Sequence, residues 1–319
     1  MARRSFRIAP GFTVRIPSGG GRPRAGGNRY TDYERLEKSN KRQAEVDALS
    51  DLEHSLTSFH LEQFPITKPD PIATPPRINS SELAEQWARE AVQTVSLFRF
   101  LKRQELRLAA EQAAHHEADR LKQWNASEYQ RLKLEREAEW QTLVSADPSN
   151  VRQLLVPALS KQRFRSKYFD LGDSPSQCVP LIVVLFEDLS LIPERYATLT
   201  PTGRPTVKQY TKTNRNSMYT KALGSFILGT AKRCFAAVPG VDNIQILVLR
   251  QEPDSSKLGA IYHATLNRFD TNALPFKTLD PSVEIMKVPD AVMARKGATA
   301  EVVSIAIENP KLIQVINSF

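Results

Sequence analysis

Residues 179–186 read VPLIVVLF, the longest apolar run in a chain of 319 residues. The run is far short of the 18 or so residues that a membrane-spanning helix needs. Its length suits a strand buried on both faces. Read outward from it, alternating patterns predict further strands at 163–169, 243–250, 259–267 and 300–307. A helix is predicted at about 214–236, with Met218, Ala222, Phe226 and Leu228 on its core side and Pro239-Gly240 beyond its end. The order is strand, strand, helix, strand, strand, irregular segment, strand. It predicts a mixed sheet with a helix packed on one face, an α/β or α+β domain over residues 150–319.

Upstream of that domain the pattern is helical. Thr31 followed by Glu34 forms a capping box and opens a helix over 30–64, with Leu49, Leu52, Leu56 and Phe59 along one stripe. Pro65 stops it. Five prolines between 65 and 76 make 65–80 an extended linker. Ser80 or Ser81 can cap a second helix, and no proline follows until Pro148. The expectation is one long charged amphipathic helix over 81–147, with Leu83, Trp87, Ala91, Val95, Phe98 and Leu101 as its apolar stripe. A helix that long must pair with the first helix, with the body of the chain, or with another copy through 81–145.

Residues 1–29 hold seven arginines, no lysine and no acidic residue. Phe6 and Ile8 alternate with Arg7, and Phe12, Val14 and Ile16 alternate with Thr13 and Arg15, on either side of Pro10-Gly11. This predicts a small β-hairpin, followed by a flexible glycine- and arginine-rich run. Arg4, Phe6, Arg7, Pro10, Gly11 and Arg15 resemble a short Arg-rich N-terminal module of uncharacterised bacterial proteins, a domain of unknown function. The resemblance covers about 25 residues and implies no activity; the glycine-rich part after Gly21 departs from that module, with no clear third strand.

The formal charge of +9 is uneven along the chain. Residues 1–29 carry +7, residues 30–145 carry −4 and residues 146–319 carry +6. Different parts should therefore meet different partners. Two cysteines, Cys178 and Cys234, are too few for a disulfide framework and point to a reducing, cytoplasmic setting. No apolar core follows the N-terminal arginines, so no secretory signal is expected, and no membrane association.

The basic residues give the leading functional reading. Lys161, Arg163, Arg165 and Lys167 recur every second residue and would share one face of a strand, with Phe164 and Tyr168 on the other. Arg195, Arg204, Lys208, Lys212, Arg215 and Lys221 crowd 193–222, interleaved with Tyr196, Tyr210 and Tyr219. Cations among aromatics suit a phosphate backbone and stacked bases. A flexible arm bearing Arg3, Arg4, Arg7, Arg15, Arg22 and Arg24 suits the same partner, because guanidinium pairs phosphate bidentately. The bland alternative is a solvated face paired to the chain's own acidic helices.

A second reading is acidic. Glu187-Asp188 ends one apolar strand, and Glu252 and Asp254 follow another. Carboxylates at strand ends can share Mg²⁺ and activate water, as in nucleases. Such a site wants a carboxylate and a lysine two residues apart on one strand. Here Lys257 lies three beyond Asp254, and Glu284 and Lys287 are also three apart. Strand ends are also common places for acidic turns. His54 and His60, and the adjacent His115 and His116, lack the spacing that puts two rings on one helical face. Gly224 to Gly229 lacks the Lys-Ser/Thr ending of a phosphate loop and falls within the predicted helix. No cofactor or resident metal is called for. The sequence thus leads to a non-enzymatic interaction protein that binds nucleic acid or an acidic protein surface. The alternatives are a metal-dependent nuclease using Glu187, Asp188, Glu252 and Asp254, and a helical oligomeric scaffold.

Overall fold

The computed structural model describes residues 6–9, 12–14, 29–93, 95–172, 178–252 and 257–319. In chain order its elements begin with β1 (Phe6–Ala9), β2 (Phe12–Val14), α1 (Arg29–Thr57) and a 3-10 turn at Phe59–Leu61. They continue with α2 (Ser80–Gln93), α3 (Phe100–Val144), α4 (Pro148–Ser160), β3 (Ser166–Phe169) and β4 (Leu181–Leu185). A second 3-10 turn, Leu189–Leu191, precedes β5 (Arg195–Leu199), β6 (Pro205–Gln209) and α5 (Lys212–Ala237). The chain then forms β7 (Asn243–Gln251), β8 (Leu258–Asn267), α6 (Arg268–Ala273), α7 (Pro281–Lys287), β9 (Ala294–Lys296), β10 (Glu301–Val303) and α8 (Pro310–Ser318). With helices beside a mixed sheet, the class is α+β with a long helical region.

Contacts divide the chain into two compact units, Met1–Leu52 with Arg195–Gln209, and Glu53–Glu194 with Tyr210–Phe319. In the first, β1 and β2 pair antiparallel, with Phe6 opposite Val14 and Ala9 opposite Phe12, as the alternation predicts. α1 starts at Arg29, so Thr31 falls in its first turn and not at its cap. β5 and β6 form an antiparallel ribbon whose turn is closed by Gly203 at φ 76°. That backbone conformation favours glycine, and the turn is made by the stretch Pro201-Thr-Gly-Arg-Pro205. Arg195 on β5 pairs with Glu45 of α1 at 2.9 Å.

The second unit is built on a four-stranded sheet in the order β3-β4-β7-β8. β4 and β7 are parallel and the outer pairs antiparallel. Leu181, Val183, Leu247 and Leu249 pack under α8 through Leu312 and Val315. The alternate residues face α5: Phe186 at the end of β4 meets Tyr219 and Phe226 of that helix, with ring centroids 5.6 and 5.9 Å apart. A strand covered on both faces has no use for a polar side, which is why residues 179–186 read as an unbroken apolar run. α5 is buried over most of its length. Two of its glycines admit neighbours: a Cβ on Gly224 would stand 2.4 Å from the carbonyl oxygen of Pro281 at the start of α7, and one on Gly229 would stand 2.2 Å from the Phe59 ring.

Two strand expectations and two helix expectations need correction. The helix expected over 30–64 ends at Thr57, well before Pro65, with only the 3-10 turn Phe59–Leu61 beyond it. The strand placed at 163–169 is only Ser166–Phe169, because α4 runs to Ser160 and a turn follows it. The strand placed at 300–307 is shorter, Glu301–Val303, and pairs with β9 in a separate hairpin. The β5–β6 ribbon had no strand predicted for it. The single helix expected over 81–147 is two helices, α2 and α3, packed against each other. Ala84, Ala88 and Val92 on one and Ala114 and Ala118 on the other are buried. Val95 and Ser96, between α2 and α3, are poor helix formers, β-branched or competing for backbone hydrogen bonds. The fold-back leaves Phe98, expected in the apolar stripe, 99% exposed. No described helix is long and apolar enough to cross a membrane.

Candidate nucleic-acid interface

α4 is capped by Asp147, whose carboxylate accepts from the amides of Ser149 and Asn150, and Pro148 occupies its first turn. The helix ends at Lys161, and the next residues turn into the sheet edge. Phe164 anchors that turn. Its ring lies 4.6 Å from Phe186 and 4.8 Å, edge-on, from Phe226. With Phe164 buried, its neighbours Arg163 and Arg165 are held on the outside. The Arg163 guanidinium sits 5.5 Å from the Phe164 ring centroid. Arg165 and Lys167 both reach Phe319: Arg165 donates to its main-chain oxygen at 3.3 Å and Lys167 at 3.0 Å, and both cations lie over its ring.

Lys161, Arg163, Arg165 and Lys167 therefore occupy one edge of the second unit, although only Lys167 lies within a strand. Among the described residues, none of the four is paired with an Asp or Glu side chain; Arg165 and Lys167 are held by Phe319 instead, and Lys161 and Arg163 are not. The long helix behaves differently. On α3, Arg120 pairs with Glu117, Lys122 with Asp119, Arg131 with Glu128 and Glu135, and Arg136 with Glu139. The helix thus neutralises much of its own charge one turn away.

The other expected cations are spread. Arg204 and Lys208 are exposed on the β5–β6 ribbon of the first unit. Lys212 pairs with Glu301 at 3.0 Å. Arg215 is structural: its guanidinium donates to the carbonyls of Leu189 and Ile192 and holds the second 3-10 turn. Arg7 lies on β1, whereas Arg3, Arg4, Arg15, Arg22 and Arg24 lie outside the described residues.

Two pockets flank Phe164. One, of about 490 Å³, opens where the parallel strands β4 and β7 end, the customary place for ligands in such sheets. It is lined by Arg163, Arg165, Glu187, Asp188, Ser190 and Glu252, among others. The cationic and acidic candidates thus come together there. Asp188 caps the second 3-10 turn, accepting from the amide and hydroxyl of Ser190. Those bonds, the hydroxyl's first, hold its carboxyl below the ordinary value. Glu187 is exposed. Asp254 lies outside the described residues. Among those residues no group of three or more His, Cys, Asp or Glu side chains is placed to hold a metal ion.

The other pocket, of about 400 Å³, has an aromatic floor of Phe59, Phe164, Phe186 and Phe226. Phe59 and Phe226 stack at 5.3 Å with their planes 17° apart. Lys161 and Arg163 stand at its rim, with Gln162 and Arg233 as its inner polar groups. Gln162 Oε1 accepts from Ser166 Oγ at 2.8 Å. Arg233 makes a long 3.6 Å pair to Glu62 and lies over the rings of Phe59 and Phe64. Gln162 Nε2 and Arg233 Nη1 are buried and have no hydrogen-bond partner among the described residues.

Sequence reasoning missed Phe59, Gln162 and Arg233 as site residues, because they come from three separated segments. The one local signal was Gly229, a mid-helix glycine that earns its place only when something approaches closely. Nearby His60 is also buried, with Nδ1 2.9 Å from Ser225 Oγ; burial, and then the charge of Lys232, lower its pKa. Cys234 is buried and its thiol is pushed up to about 12 by burial, while Cys178 is half-buried. Comparison of the chain with protein-family models, with curated proteins and with solved structures found no match.

Proposed function

We propose that this chain is a non-enzymatic interaction protein that binds nucleic acid. Lys161, Arg163, Arg165 and Lys167 contact the phosphates, and the N-terminal arginines Arg3, Arg4, Arg7, Arg15, Arg22 and Arg24 act as an electrostatic tether. One observation carries the reading: these four cations share an edge without an Asp or Glu partner among the described residues, and Lys161 and Arg163 at its outer end are not held by Phe319 either, while Arg120, Lys122, Arg131 and Arg136 of α3 are paired one turn away. Unpaired cations displace counterions from a polyanion, and paired ones do so only after breaking their own bridges. The aromatic floor beside them supports a single strand, whose bases are free to stack.

A salt-titrated electrophoretic shift on single-stranded RNA and DNA tests this. Binding should weaken steeply as salt rises, and removing residues 1–29 should make the dependence shallower. Salt-independent binding, or none at low salt, contradicts it. Glu187, Asp188 and Glu252 share the neighbouring pocket, which favours nuclease chemistry as the second reading. The same gel with Mg²⁺ separates the two: degradation that Asp188→Asn abolishes favours the nuclease, and intact retained strand favours the binder.

A further inference from the structure

We infer that the aromatic-floored pocket receives one base of the bound strand, and that it selects bases carrying a carbonyl oxygen (uracil, thymine, guanine or cytosine) over adenine, which has none. The inference rests on the nucleic-acid reading above.

The pocket's polar inventory is one-sided. Gln162 Nε2 and Arg233 Nη1 are both donors, both buried and both without an acceptor among the described residues. The amide oxygen of Gln162 is already occupied by Ser166 and Thr230. A buried donor without an acceptor is costly, so an occupant that supplies acceptors gains most. A carbonyl-bearing base presents oxygen acceptors on its edge. Adenine has no oxygen; its ring-nitrogen acceptors N1 and N7 each stand beside the 6-amino group, a donor that would be turned toward the pocket's donors.

The apolar part matches a planar guest. Phe59 and Phe226 lie nearly parallel, and Phe164 and Phe186 complete the wall. Phe59 and Phe226 are stacked on each other, so a base would pack against this aromatic wall and not between the two rings. The absence of a Cβ at Gly229 is what lets Phe59 sit there. The rim sets the polarity of the ligand, for Lys161 and Arg163 stand at the mouth and Arg165 and Lys167 continue from it along the same edge. A strand with one base in the pocket has its phosphates along that rim.

The test uses the full chain and fluorescently labelled oligo(U) and oligo(A) of about 12 nucleotides, followed by anisotropy. The expected result is a preference for oligo(U) of about tenfold. Gln162→Glu keeps the acceptor oxygen but removes the Nε2 donor. It should remove most of that preference and leave oligo(A) with only the loss from its added charge. Equal affinity of the wild type for the two strands overturns the inference whatever the variant does. If neither strand binds, saturation-transfer NMR with UMP and AMP is decisive. Transfer to UMP that Gln162→Glu abolishes upholds the pocket while the strand reading fails. No transfer to either nucleotide, or equal transfer to both, overturns the pocket assignment.

Discussion

Gly229→Ala tests the geometry on which the pocket depends. A methyl group at this position would lie 2.2, 2.6 and 2.9 Å from Cδ1, Cε1 and Cγ of Phe59. The ring has little room to yield. Phe226 stacks on it at 5.3 Å, Phe64 meets it edge-on at 5.9 Å, and the Arg233 guanidinium lies 5.2 Å from its centroid. Overpacking of this kind costs about 1–3 kcal/mol. Against it stands the gain from replacing a helical glycine by alanine, about 1 kcal/mol. The single variant should therefore be destabilised by about 1 kcal/mol, the balance of those two effects. The sharper result comes from the Phe59→Ala background. With the ring gone the clash is gone, and Gly229→Ala should there stabilise by about 1 kcal/mol. The sign inverts between backgrounds, and the coupling is about 2 kcal/mol. Urea denaturation at constant m-value gives both legs of the cycle. If Gly229→Ala stabilises equally with and without Phe59, the ring does not lie against this glycine and the pocket floor is wrong.

Three further predictions bear on other parts of the molecule. Gly224→Ala should cost more than Gly229→Ala, at least about 2 kcal/mol, because its clash is with the main-chain oxygen of Pro281 at 2.4 Å; Pro281→Ala should not relieve it, since it keeps that oxygen. Acid should weaken the fold: burial lowers the pKa of both His60 and His263, so below the ordinary value of 6.5 the unfolded chain binds protons that the folded one refuses. Stability measured by urea should thus be level above about pH 7 and fall as the pH drops toward 5.5, and His60→Gln should flatten that fall. Replacing Lys161 and Arg163 together by alanine should reduce the log–log salt slope of single-strand binding by about 1.4, or about 0.7 per lost phosphate contact, and leave thermal stability unchanged because both side chains are exposed. An unaltered slope would place the phosphates elsewhere.

The central strands and α5 were legible because each carries a pattern that burial imposes. Residues 179–186 are apolar throughout since α5 covers one face of β4 and α8 underlies the other. The helical hairpin was not legible. Val95 and Ser96 lie between α2 and α3 and are residues that helices often contain, and no proline or glycine stands between Gln93 and Phe100 in the sequence. The four-cation alternation was legible as charge but not as a strand, because α4 ends only at Ser160 and β3 starts at Ser166. Arg215 shows a further limit: within a basic cluster, nothing local distinguishes a cation that serves a phosphate from one that serves the chain's own carbonyls. The pocket is legible only in three dimensions, where Phe59, Gln162 and Arg233 meet.

The most direct measurement of the central claim is an electrophoretic shift of a single-stranded oligonucleotide over a range of salt, comparing the intact chain with a variant in which Lys161, Arg163, Arg165 and Lys167 are all alanine. The account predicts that the intact chain retains the strand with a steep salt dependence, and that the variant, still folded, loses most of that retention and flattens the slope by about 2.8, or about 0.7 for each of the four contacts. Equal retention by the folded variant would contradict it.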